Sequence, residues 1–172
     1  CCWILHYINR TIIFPLRTKT AHKKMPVSIV FSAFGFNLVN APLNGYFFLK
    51  FANYQTAIFS SPLFIIGLFL FVIGMAINNY ADSVLINLRK PGQTEYTIPT
   101  GFLFNIISCP NLFGEMIEWI GFCLMAQSFP ALSFAVWTIC NLLPRAVSHH
   151  KWYLQHFPDY PKNRKAVIPF LV

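Results

Sequence analysis

Four stretches without a single Asp, Glu, Lys or Arg organise the chain: residues 25–49, 57–81, 96–114 and 119–144. A helix crosses a bilayer in about 20 apolar residues, and each stretch reaches or approaches that length. The run 57–81 is the clearest, because Phe64 to Gly74 contains no polar side chain at all. Punctuation between the stretches predicts five helices, over about 1–16, 26–49, 59–87, 111–127 and 131–156. Pro15 sits at the end of the first. Asn37, Asn40, Pro42 and Asn44 predict an irregular second helix. Pro91-Gly92 stops the third, since proline cannot continue a helix and glycine supplies turn conformations. Residues 88–110 read as a loop dipping back toward the membrane, Ser128-Phe129-Pro130 as a tight turn, and 157–172 as a short basic tail.

Composition sharpens this picture. Of 172 residues 56% are hydrophobic and 10% charged, whereas soluble domains carry roughly 25% charged residues. So little charge cannot cover a water-facing surface. The expectation is an all-α, polytopic integral membrane helical bundle forming one membrane domain over 1–172. The net charge is +8, and its placement is informative. Arg17, Lys19, Lys23 and Lys24 form one basic segment, Arg89 and Lys90 a second, and Arg145, Lys151, Lys162, Arg164 and Lys165 a third. Loops 50–60 and 128–131 are nearly neutral. This alternation is the positive-inside pattern, and it puts all three basic segments on the cytoplasmic face. Nucleic-acid binding would use basic residues but has no need of the apolar runs between them, so no nucleic-acid partner is expected. Cys1, Cys2, Cys109, Cys123 and Cys140 lack metal-ligand spacing and read as small hydrophobes, so no metal is expected. The chain starts without Met, in residues resembling a helix interior, and further helices are expected before it.

An ionisable residue at membrane depth is a functional-site hypothesis, because lipid burial is costly. Asn78, Asp82 and Arg89 follow helical steps of four and seven. Asn111, Glu115 and Glu118 follow steps of four and three, and Arg145, His149 and Tyr153 two steps of four. Each stripe lies at a cytoplasmic helix end, so the three are candidates to converge on one polar pocket. Tyr7, Arg10 and Thr11 form a fourth polar face, read as lying at the opposite end or mid-depth of the first helix. Plainer readings stand beside these. Glu115 and Glu118 would favour a helix N-terminus, Asp82 and Arg89 would form an ion pair, Trp152 and Tyr153 would sit in an aromatic belt, and the tail cations would set orientation. The pocket suits a large anionic ligand, since arginine matches phosphate bidentately and amides and carboxylates match ribose and carboxamide. No GxGxxG occurs, so a Rossmann site is not supported.

An ordered set of motifs carries a resemblance: His6-Tyr7-x-x-Arg10-Thr11, Gly74-Met75-x-Ile77-Asn78, Asp82, Leu88-Arg89-Lys90-Pro91-Gly92, Tyr96-x-Ile98-Pro99, Asn111-x-x-Gly114-Glu115-x-Ile117-Glu118-Trp119-x-Gly121, Arg145-Ala146, His149-His150, Trp152-Tyr153-Leu154, and Tyr160-Pro161 before Ile168-Pro169-Phe170. Across essentially the whole chain this resembles the steroid 5α-reductase family. The resemblance implies a seven-helix membrane enzyme, of the endoplasmic reticulum or of a bacterial inner membrane, whose first two helices precede this chain together with the acidic partner of the catalytic tyrosine. It implies an oxidoreductase acting on CH–CH groups, with NADPH giving hydride to C5 of a 4-ene-3-oxo steroid while C4 takes a proton. By resemblance Tyr7 hydrogen-bonds the steroid 3-oxo group, and Asn78, Asp82, Arg89, Tyr96, Asn111, Glu115, Arg145, His149 and Tyr153 contact NADPH. Ser32 and Thr97 stand where animal members tend to carry arginine, and Lys19, Lys23 or Lys90 are the candidates to replace those phosphate contacts.

The expected partners are a steroid or another hydrophobic enone and the lipid bilayer, with the protein a monomer. Reduction of an enoyl-CoA or polyprenol-type lipid is the nearest alternative, and the Ser108-Cys109-Pro110-Asn111 segment is similar in the enoyl-CoA reductases. An isoprenylcysteine-type membrane methyltransferase is more distant, since it would show Arg-His-Pro where Ser108-Cys109-Pro110 stands. A sterol-binding protein without catalysis would not need Asp82, Glu115 and Arg145 together.

Overall fold

The computed structural model describes residues 2–18, 26–88 and 96–172. Arg89, Lys90, the Pro91-Gly92 stop, Cys1, Lys19, Lys23 and Lys24 lie outside the described residues. The described chain is helical and forms no strand. It opens with α1 (Cys2–Ile8), a π-helical turn (Asn9–Ile13) and α2 (Phe14–Arg17), which together make one rod. The Phe14 N–H reaches back to the Asn9 carbonyl, and the next residue is Pro15. Proline has no N–H to give Thr11, and its ring crowds that carbonyl, so a widened turn relieves the rod just before it.

α3 (Val27–Lys50), α4 (Pro62–Leu88) and α6 (Phe129–His156) are long and apolar enough to cross a membrane. α3 was expected to be irregular, yet it runs through Pro42 unbroken. α5 (Pro110–Ala126) is shorter and mostly buried. Gln127 closes it in the left-handed conformation, with φ 44°. Ser128 then caps α6, its Oγ accepting from the Ala131 N–H at 3.3 Å. α6 therefore starts slightly earlier than expected, because Pro130 fits a first helical turn where its missing N–H is not needed.

α4 and α5 pack antiparallel along glycines seven residues apart. Gly67 faces Gly121, and Gly74 faces Gly114. A Cβ on Gly74 would lie 2.5 Å from the Gly114 carbonyl, and one on Gly114 would lie 2.6 Å from the Asn78 nitrogen. A Cβ on Gly67 would lie 2.7 Å from the Gly121 carbonyl. These obstacles are backbone, so only glycine permits the approach. Without a water-driven hydrophobic term in lipid, close backbone packing of this kind is a main source of helix association.

Two apolar clusters flank this seam. Phe71, Trp119, Phe122, Met125, Ala131 and Phe134 join α4, α5 and α6. Cys109, Leu112, Met116, Leu142, Ala146 and Val167 bring the C-terminal tail onto α5 and α6. The tail, read from sequence as short and basic, is docked. Ile107 and Lys165 form a parallel bridge, and the Ser108 N–H donates to the Lys165 carbonyl at 2.8 Å. Ser108 Oγ lies 2.6 Å from His150 Nδ1 and 2.7 Å from the Tyr160 hydroxyl. Arg164 is buried rather than a surface orientation signal, and its Nη1 donates to the Pro99 carbonyl at 2.9 Å.

Candidate active site

The glycine seam fixes which polar groups meet. One turn past Gly74, Asn78 Nδ2 donates to the Asn111 main-chain carbonyl at 2.9 Å. Another turn on, Asp82 Oδ1 accepts from Asn111 Nδ2 at 3.2 Å. The predicted stripes of α4 and α5 thus interlock, since residues four apart share a helix face.

The third contributor is Arg10, from the π turn. Its Nη1 donates to Asp82 Oδ2 at 2.7 Å, and its Nη2 reaches Glu115 Oε2 at 3.5 Å. Sequence reasoning set Arg10 on a separate face and weighed Asp82 with Arg89. In the fold Asp82 pairs with Arg10, so the polar face of the first rod joins the others. Asn9 Nδ2 donates to Asn79 Oδ1, and Arg17 Nη2 to Ser83 Oγ at 2.7 Å, so the rod is tied to α4 along three turns.

Glu118 has a different setting from the helix N-terminus weighed for it. It lies more than two turns inside α5 and is 0% exposed. Its Oε1 lies in hydrogen-bond contact with His6 Nδ1 at 2.8 Å, and among the described residues its Oε2 has no partner. An unpaired buried carboxylate oxygen is expensive, and such groups are concentrated where function requires them.

Tyr7 stands between these two pairs. His6 precedes it and Arg10 follows three residues later, so the Glu118 pair and the Asp82–Glu115 cluster flank it on one rod. Its ring centroid is 4.3 Å from Trp3 and 6.2 Å from Trp119. Thr11 Oγ1 bonds the Tyr7 main-chain carbonyl at 2.6 Å, and among the described residues no hydrogen bond engages the Tyr7 hydroxyl. A half-buried phenol with a free O–H, beside acids and aromatic rings, can donate to a carbonyl oxygen of an apolar ligand.

Among the described residues, no hydrogen bond or ion pair joins Arg145 or His149 of the α6 stripe to this cluster. Arg145 and His149 are exposed. Tyr153 stacks on Tyr160 at 5.1 Å, and Tyr96 meets Trp152 at 4.9 Å. Tyr96 and Tyr153 therefore stand around one aromatic patch at the end of α6. His150, the neighbour of His149, faces the other way to Ser108. Arg89 lies outside the described residues. His6, Arg10 and Asn9 are the site residues that sequence spacing did not assign. Their signal was the regular run His6, Asn9, Arg10 within an otherwise apolar helix.

A family model described as 3-oxo-5-alpha-steroid 4-dehydrogenase matches residues 23–172. The chain is 49% identical over 172 residues to Steroid 5-alpha-reductase DET2 of Solanum lycopersicum, covering 98% of this chain and 66% of that protein. It is 42% identical over 170 residues to 3-oxo-5-alpha-steroid 4-dehydrogenase 1 of Mus musculus, covering 99% and 66%. It is 42% identical over 167 residues to 3-oxo-5-alpha-steroid 4-dehydrogenase 2 of Homo sapiens, covering 97% and 65%. The chain thus spans about two thirds of the length of these curated relatives. With the family model over most of its length and relatives at this identity, the chain belongs to the 3-oxo-5-alpha-steroid 4-dehydrogenase family.

Proposed function

We propose that the full-length protein reduces the C4–C5 double bond of 3-oxo-4-ene steroids, using NADPH, at the membrane of the endoplasmic reticulum or of a bacterial cell. The observation that carries the reading is Tyr7, with its hydroxyl unengaged among the described residues and polar pairs on either side. The relatives' names point to the same substrate class.

Tyr7 is the electrophile. A phenol O–H donated to the 3-oxo oxygen draws charge onto that oxygen and leaves C5 ready to accept hydride, the logic of an oxyanion donor. C4 then takes a proton, so one hydride and one proton complete the reduction. Trp3, Trp119 and Phe134 give the apolar wall that an aromatic-sized ligand needs and keep water away. Arg10 offsets one of the two negative charges of Asp82 and Glu115, which lessens their repulsion of an anionic ligand.

The donor set fits a dinucleotide. Asn78, Asp82, Asn111 and Glu115 offer amides and carboxylates for a carboxamide and ribose. Arg145 and Arg89 offer cations for phosphates, His149 offers an imidazole N–H, and Tyr96 and Tyr153 offer rings. NADPH, when bound, supplies the hydride.

The test is turnover by the full-length protein in membranes, with NADPH and a 4-en-3-one steroid, read by product analysis. A 5α-dihydro product is expected. NADPH binding without steroid turnover would move the substrate to another conjugated lipid, and no NADPH binding would overturn the reductase reading.

A further inference from the structure

We propose that Asn40 and Asn44 form a second polar contact inside the bundle, which reads a hydroxyl at the end of the substrate remote from the 3-oxo group. The inference rests on the steroid reading above and adds a specificity determinant to it.

These two asparagines are the buried residues of α3, at 6% and 5% exposure, in a helix whose other positions mostly face outward. Asn44 Nδ2 donates to the Asn40 carbonyl at 3.1 Å and to Asn40 Oδ1 at 3.0 Å. Among the described residues, Asn40 Nδ2 and Asn44 Oδ1 are buried with no partner. One is a donor and the other an acceptor. Buried amide atoms are almost always satisfied, so two orphans one turn apart, of opposite hydrogen-bonding sense, match a group that both accepts and donates. A hydroxyl does both, and a ketone only accepts.

The position suits the remote end of a long apolar molecule. Phe36, Asn40, Asn44 and Phe48 follow steps of four on one face of α3. Phe36 stacks on Phe134 at 6.0 Å, and Phe134 meets Trp119 at 4.5 Å, the ring against which Tyr7 lies. Phe48 meets Phe122 at 6.5 Å. Asn40 and Asn44 therefore lie about 6 and 12 Å along α3 from the ring contact that leads to Tyr7, at the helical rise per residue. Aromatic side chains bound them at both ends. An apolar nucleus with a carbonyl at one end and a hydroxyl at the other would use Tyr7 and the asparagine pair together.

The experiment uses the full-length protein in membranes with NADPH and three 4-en-3-one steroids. They differ only at the end remote from the enone, which carries a hydroxyl, a ketone or hydrogen. Wild type is expected to favour the hydroxyl compound over the hydrogen compound by about tenfold in kcat/KM, the worth of one net hydrogen bond. Asn40→Leu and Asn44→Leu are each expected to bring that ratio close to one, while turnover of the hydrogen compound stays within about twofold. Asn40→Leu should not lower the melting temperature, because it removes an unpaired Nδ2 and leaves Asn44 Nδ2 on the Asn40 carbonyl, whereas Asn44→Leu frees Asn40 Oδ1 and is expected to lower it slightly. A ketone, accepting from Asn40 Nδ2 alone, is expected to fall between the other two compounds in wild type; should Asn40→Leu fail to fold, Asn40→Asp keeps the shape, removes that donor, and is expected to bring the ketone down to the hydrogen compound. An unchanged ratio in the variants, or an equal loss on all three compounds, would make the asparagines packing residues and overturn the proposal. If wild type binds NADPH and reduces none of the three, the steroid reading fails and takes this inference with it.

Discussion

α5 and α3 answer to different rules. Ten of the residues of α5 are buried, and its glycines let the α4 backbone come within touching distance. α3 is the longer of the two, yet it buries only Asn40 and Asn44. A bundle in lipid gains little by burying leucine and phenylalanine, which lipid already solvates. Small residues and polar groups therefore fill its interior, and large apolar ones face outward. α5 follows this inversion by holding the seam, Glu118 and Glu115. α3 follows it by turning two asparagines inward and its phenylalanines largely to the outside.

The largest expected effect breaks the seam. Gly74→Ala forces a Cβ against the Gly114 carbonyl and the α5 backbone, which cannot retreat as a flexible side chain would. A loss of on the order of 2–3 kcal/mol is expected, read as a drop in melting temperature. Gly45→Ala in α3 meets nothing within 4 Å, and is expected to be neutral or to stabilise by about 0.5–1 kcal/mol, as alanine does for glycine inside a helix. Equal losses from the two variants would dissolve the contrast.

Next comes Arg10→Met. It leaves Asp82, whose side chain is 5% exposed, and Glu115 without their cation. About 2 kcal/mol of stability should be lost, at the low end for a broken buried pair because Arg10 keeps 30% of its surface. Turnover should fall at least about tenfold, since the rod carrying Tyr7 loses its tie to α4 and α5. Ser108→Ala is expected to be milder, about 1 kcal/mol, by removing the hydroxyl that links His150, Tyr160 and the tail. Limited proteolysis near residue 165 would report it.

The smallest effect concerns pH. Burial pushes the Cys109 thiol from 9.0 up to about 12. The folded protein thus keeps this proton where the unfolded chain releases it, so the stabilisation is complete below pH 9 and is lost as pH rises from 9 toward 12. Cys109→Ala should flatten the alkaline limb of the unfolding curve, beside a pH-independent loss from the packing it gives up.

Helix-scale order was legible in the sequence because period and length carry it. Apolar runs and the punctuation between them placed all five rods, and four-residue spacing put Asn78 with Asp82 and Asn111 with Glu115. The seam was equally periodic, with Gly67 and Gly74 seven apart and Gly114 and Gly121 seven apart, but which pair faces which depends on the antiparallel docking of α4 on α5. Arg10 was misplaced for a related reason. Its partners lie 72 and 105 residues away, and the π turn ahead of Pro15 changes the face it presents. The docked tail has no periodic signal. Its bridge between Ile107 and Lys165 and the buried Arg164 arise from long-range pairing alone.

The most direct test of the account compares wild type with Tyr7→Phe in the full-length protein. NADPH affinity and steroid turnover would be measured on the same membranes. The phenol is assigned to the substrate carbonyl, so turnover should fall by about 10²–10³-fold with NADPH affinity unchanged. Turnover retained in Tyr7→Phe, or NADPH affinity lost with it, would contradict the claim that Tyr7 is the electrophile at this site.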